Sequence, residues 1–123
     1  MQQQTDNFAK FGKSFQDSLC QLMLEDRPFC DQITEVLTID FLETKYLQVF
    51  VKTIMDYRTR YNVHPTYEIL ATIFKSGITE YDDAVQKQVR DYYARVIASD
   101  KVNDSDYIKQ PLISAVSRFS SKL

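Results

Sequence analysis

The chain has 123 residues, 44% of them hydrophobic, with 17 acidic and 15 basic side chains and a formal net charge of −2. That length suits one domain with a real core, and two glycines and three prolines leave few turns for an all-β design. The acidic balance disfavours autonomous DNA binding, which draws on a basic surplus. No apolar run approaches the length of a membrane span.

Met1 to Asn7 hold nothing apolar beyond the initiator and are expected to be frayed and disordered. The sequence that opens the chain is unlike a signal peptide, so the cytoplasm is the expected setting. A helical domain is expected over residues 8–100, followed over residues 101–123 by the start of a separate helical region. Phe8, Phe11, Phe15, Leu19, Leu22 and Met23 recur at helical spacing, which predicts a first helix from Phe8 or Gly12 to Glu25. Pro28 cannot continue that helix but suits the first turn of a second, with Asp26 or Arg27 near its cap. Phe29, Ile33, Val36 and Leu37 are its buried stripe.

The third element is the longest. Asp40 and Glu43 stand at capping-box spacing, with Asp in place of Ser or Thr. Leu47, Phe50, Val51, Ile54, Tyr57 and Tyr61 follow on one stripe, with Lys45, Gln48, Lys52, Asp56 and Arg60 on a wet face. Asn62-Val63-His64-Pro65 breaks the chain, and Thr66 to Lys75 form a fourth helix with Ile69, Leu70, Ile73 and Phe74 inward. Gly77 is expected at the C′ position in left-handed conformation.

Thr79 is expected to cap a fifth helix, whose acidic start at Glu80, Asp82 and Asp83 suits the helix dipole. Val85, Val89, Tyr92 and Val96 line its apolar face, with Ile97 as a further candidate. In the last segment Tyr107, Ile108, Leu112, Ile113, Val116 and Phe119 form another stripe. Pro111 falls inside it, so the helix either restarts there or is kinked. These six residues are the candidate protein interface, because a stripe so placed is expected to close on another subunit or on further sequence beyond it. The class is all-α: a compact bundle of about five helices plus the start of a C-terminal linker helix.

Few residues invite catalytic chemistry. Two glycines cannot supply a phosphate loop or a dinucleotide-binding loop. A nucleophile–base pair would need the single His64, which precedes a proline and reads as a helix-entry residue. Zinc would need about four ligands, and Cys20, Cys30 and His64 fall short, so the thiols read as buried and structural. The many tyrosines, with Arg58 and Arg60 interleaved between Tyr57 and Tyr61, could stack on single-stranded nucleic acid, but core margins suit them better.

The order of segments resembles the N-terminal domain of DnaB-like hexameric replicative DNA helicases, bacteriophage type. Leu19-Cys20-Gln21-Leu22-Met23 with Phe29 and Ile33 is similar to the family's opening helix and the start of its second. Asp40-Phe41, Tyr46 and Val49-Phe50 follow its D-F-x4-H-x2-[IL]-F spacing. Pro65-Thr66-Tyr67-Glu68-Ile69-Leu70 resembles P-[ST]-x-E-x-L, and Asp104-Ser105-Asp106-Tyr107-Ile108 resembles the opening of the linker helices. Cys20, Gln16, Tyr46 and Pro111 depart from the residues common there.

The resemblance implies a non-catalytic helical collar that forms a homo-oligomer, a hexameric ring in the parent protein, and docks the primase and in some systems a helicase loader. DNA contact would be indirect or weak. ATP and magnesium would belong to a RecA-like domain following the linker, with no cofactor in this segment. The setting would be the cytoplasm of a bacterial cell, phage-infected in the phage-type case. The competing reading is a stand-alone regulatory or helix-turn-helix DNA-binding protein, whose recognition helix, Thr66 to Lys75, offers only Lys75 as a basic side chain. An enzyme ranks last, for want of a convergent polar pocket.

Overall fold

A computed structural model describes residues 12–39, 42–98 and 105–119. They form six helices and no strand: α1 (Gly12–Glu25), α2 (Arg27–Ile33), α3 (Lys45–Tyr61), α4 (Tyr67–Ser76), α5 (Asp83–Ala98) and α6 (Ser105–Phe119). The all-α class read from the stripes is what the chain adopts. The expectation of frayed residues 1–7 lies outside the described residues.

α3 is the centre, packed against α1 and α5, while α5 also meets α4, and α2 joins α1 to α6. Being covered on more than one side, α3 buries more than a single stripe. Tyr46 and Val49 are buried alongside Leu47, Phe50, Val51 and Ile54. Phe50 is fully buried and its ring meets three others: Phe74 stacked at 5.5 Å, Tyr92 edge-on at 5.0 Å and Tyr93 tilted at 6.4 Å. Offset and edge-on contacts of this kind suit the aromatic quadrupole.

The two tyrosines also tie helices together through their hydroxyls. Tyr92 Oη donates to the Asp17 carbonyl of α1 at 2.7 Å, and Tyr93 Oη to the Tyr67 carbonyl of α4 at 2.5 Å. Burial pushes the Tyr92 phenol far up and the Tyr93 phenol up to about 12, so both remain donors.

Several element starts differ from the sequence expectation. The Asp40–Glu43 capping box does not open α3, which begins at Lys45 behind Thr44; Asp40 itself lies outside the described residues. Two glutamines hold the preceding turn instead. The buried Gln16 accepts from the Glu43 N–H at 3.2 Å through Oε1, and Gln48 Nε2 donates to the Leu42 carbonyl at 2.7 Å. α5 starts at Asp83 rather than at Thr79, because Ile78 is buried and pins residues 78–81 as a turn.

Gly77 is not left-handed: its φ is −105°, and its N–H lies 2.5 Å from the Ile73 carbonyl oxygen. A Cβ there would meet that oxygen at 2.9 Å, so glycine serves the close approach. The left-handed residue is Asn62, with φ 59°, closing α3 through its N–H to Arg58 O. α4 then opens as its sequence predicts, with Thr66 Oγ1 accepting from the Ile69 N–H at 3.1 Å.

α6 runs through Pro111 as one helix. The proline is exposed, and it leaves the carbonyl one turn earlier without its usual N–H donor. Leu112 and Val116 are fully buried and Ile113 packs against the core. The polar tie is Lys109 to Asp26, the residue whose Oδ1 also caps α2 by accepting from the Phe29 N–H. Bonding to Lys109 is the main cause of an Asp26 carboxyl held below its ordinary value.

Candidate functional site

Among the described residues, three of the four exposed large hydrophobic side chains, Tyr61, Val63 and Tyr67, lie where the C-terminal end of α3 meets the start of α4. Two depressions of about 440 Å³ and 450 Å³ share Tyr57, Tyr61 and Ile73 as common walls. One continues past Lys52, Thr53, Asp56 and Arg60 to Gly77, Ile78, Glu80 and Tyr81; the other continues over Glu68, Ile69 and Thr72. They form a single groove along the helix pair.

Helical spacing builds this groove. Tyr57 and Tyr61 are four residues apart, so their rings meet at 4.6 Å. Tyr61, the last residue of α3, is 56% exposed. Val63 and Tyr67, at the same hairpin, are each 49% exposed. The Arg60 guanidinium lies 6.0 Å over the Tyr61 ring, and the Lys45 ammonium 5.7 Å over that of Tyr81. Lys52 and Asp56 pair across one turn at 2.7 Å, which raises the Lys52 pKa. An amphipathic, aromatic-walled groove of mixed charge offers van der Waals area and rim hydrogen bonds, the means by which protein segments are held.

Behind the groove, the hairpin between α3 and α4 is fastened to the rest of the fold by polar contacts. His64 is half-buried; its Nε2 lies 2.9 Å from the Leu24 carbonyl of α1 and its Nδ1 2.7 Å from Arg58 Nη1. Arg58 Nη2 also pairs with Asp31 of α2. Burial pushes the His64 pKa below that of an ordinary imidazole. The bond to Leu24 opposes that shift, while the positive charges of Arg58 and Arg27 add to it. Sequence reading placed His64 at a helix entry, which is where it sits, but missed both partners.

The interface residues expected in the last helix are placed differently. Leu112 and Val116 are covered by this chain's own core, and Ile113 packs against it. α6 packs against α2, so Leu112 and Val116 leave no free apolar surface on this chain as it stands. The side chains of Tyr107, Ile108 and Phe119 lie outside the described residues.

The arginines between Tyr57 and Tyr61 do not make a basic platform, since Arg58 turns to Asp31 and His64. Cys20 and Cys30 are buried free thiols, the structural reading that the shortage of metal ligands suggested. Burial raises both pKa values, that of Cys30 to about 11, which keeps them protonated and unreactive.

Among the described residues no three His, Cys, Asp or Glu side chains converge to hold a metal ion, and no helix is long and apolar enough to cross a membrane. No protein-family model matches the chain, and no curated protein or solved structure matches it.

Proposed function

We propose that this chain is the non-catalytic N-terminal domain of a DnaB-like replicative DNA helicase, serving self-association and the docking of a primase or loader. The observation that carries the reading is the work done by the residues on which the family resemblance rests. Leu19, Leu22, Met23, Phe29 and Ile33 are core, and Tyr46, Val49 and Phe50 form the packed centre of α3. Pro65 is buried, Thr66 caps α4 and Leu70 is fully buried. The shared spacing thus falls on positions that set the fold.

In this reading the groove of Tyr57, Tyr61, Ile69 and Ile73 receives the partner, and homo-oligomerisation into a ring takes place in the parent protein. ATP and magnesium act in a separate RecA-like domain, in the cytoplasm of a bacterial or phage-infected cell. A DNA-reading role for α4 finds less support. Its exposed positions, among them Glu68, Thr72 and Lys75, carry one cation and one anion, whereas binding to the DNA backbone rests on several cations facing phosphates.

The test is sedimentation of the chain with the primase and the loader encoded in the same genome. A complex with either, weakened by Tyr61→Ser with Tyr67→Ser, supports the proposal. Free sedimentation of the chain in both mixtures, at concentrations well above the micromolar range typical of transient docking, together with a monomeric mass throughout, sinks it.

A further inference from the structure

We propose that His64 is an acid-sensitive latch: a proton on its Nδ1 breaks the bond to Arg58 and loosens the connector over residues 62–65 from the last turn of α3. The chemistry of the two ring contacts fits one tautomer. A carbonyl oxygen can only accept, so the nitrogen facing Leu24, Nε2, carries the hydrogen. A guanidinium can only donate, so Nδ1, facing Arg58, presents its lone pair. The closed arrangement therefore requires a neutral ring.

Protonation changes both terms at Nδ1 at once. The lone pair that Arg58 uses becomes an N–H, and donor then faces donor at 2.7 Å. Two positive groups are brought together in a half-buried place where solvent screens them poorly. From α2, Arg27 adds to the repulsion, while Asp31 offsets part of it; from α1 only the Leu24 carbonyl faces the ring, and its bond is kept in either state. Asp31 is already engaged by Arg58 and its side chain is 54% exposed, so its relief is partial.

The ring is accessible enough for a proton to enter, and an imidazole is the side chain whose ordinary titration falls near neutrality. The element it biases is short: Asn62 in left-handed conformation, Val63, His64 and the buried Pro65, leading into the Thr66 cap. Tyr61 and Tyr67, both largely exposed, stand at its two ends, so opening the latch alters how they are presented. This inference does not depend on the helicase reading.

The experiment is nuclear magnetic resonance on the full chain, following the His64 ring and the backbone amides of Val63, Thr66 and Tyr67 from about pH 8 to about pH 5, the range in which imidazoles change charge. The ring is expected to titrate below the ordinary imidazole value of 6.5, with the three amides moving at the same midpoint. Arg58→Gln keeps an N–H donor but removes the charge, so the midpoint climbs; each pH unit recovered is about a tenfold gain in proton affinity. His64→Gln abolishes the amide titration.

A ring midpoint at or above the ordinary value overturns the proposal. So do amides that stay flat while the ring titrates, or a midpoint that Arg58→Gln leaves in place. Should His64→Gln not fold, the ring titrations of the parent chain and of Arg58→Gln decide the matter alone.

Discussion

Replacing Phe50 by alanine tests the packing at the centre of the fold. The side chain is fully buried and touches rings from α4 and α5. Its transfer from water contributes about 2–3 kcal/mol, and the cavity left between α3, α4 and α5 raises the loss to about 3–5 kcal/mol. A domain of this size has roughly 5–15 kcal/mol in hand, so the variant keeps its fold with a much reduced margin.

Phe50→Leu fills most of the space and forfeits the ring contacts, for a loss of about 1–2 kcal/mol, since three coupled pairs do not add in full. With a urea slope near 2 kcal/mol per molar, Phe50→Ala is expected to lower the urea midpoint by about 2 M and Phe50→Leu by somewhat under 1 M. Tyr61→Ala, on the surface, is expected to stay within about 0.5 kcal/mol of the parent. A midpoint shift for Phe50→Ala no larger than that of Tyr61→Ala, with the slope unchanged, would refute the aromatic centre.

Three further outcomes follow from other contacts. Tyr92→Phe removes the hydroxyl bonded to Asp17 from a residue only 3% exposed, and is expected to cost about 1 kcal/mol in urea unfolding. Asp26→Asn keeps a capping oxygen but loses the charge facing Lys109, for a loss below about 1 kcal/mol, whereas Asp26→Ala also removes the cap and costs about 1 kcal/mol more. Equal losses for the two Asp26 variants would show that the cap contributes nothing. Because the folded His64 holds its proton less tightly than the unfolded value of 6.5, the unfolded chain binds more protons. Stability is therefore complete above that pH and falls as the solution is acidified toward the lower folded value. Thermal melts across this window should show the decline in the parent chain, and its absence in His64→Gln.

The helices were legible in the sequence because apolar residues at a 3.6-residue period report a buried face directly; a helix lies on each of the six stripes, although α2 stops at Ile33 and leaves Val36 and Leu37 in the turn beyond it. What the stripe missed on α3 and α5 has a common cause. A helix packed on two sides buries residues off its main seam, hence Tyr46, Val49 and Tyr93. At the ends the error runs the other way: Tyr61 and Ile97 keep the period but outrun their neighbours, and both are more than half exposed.

Starts were harder to read, since a local capping pattern competes with distant groups. Gln16, 27 residues away in sequence, accepts from the Glu43 N–H that the expected box would have given to the Asp40 side chain. The latch is illegible for the same reason. His64 meets a carbonyl 40 positions earlier, and no local pattern marks that pairing.

The placement of α6 bears on where a partner can sit. α2 is only seven residues long, with Phe29, Cys30 and Ile33 all buried, and needs cover from both α1 and α6. Drawing Leu112 and Val116 out toward a second chain would expose two aliphatic side chains, at about 1.5–3 kcal/mol each, and break the Lys109–Asp26 tie. A partner must offset that before gaining anything. At the α3–α4 groove no such cost arises, because Tyr61, Val63 and Tyr67 already stand exposed and Ile69 and Ile73 are only partly covered. The energetics therefore favour docking on the hairpin over docking on the last helix. They also put the docking face on the element that His64 fastens, so a partner selecting the closed hairpin would by linkage make His64 harder to protonate.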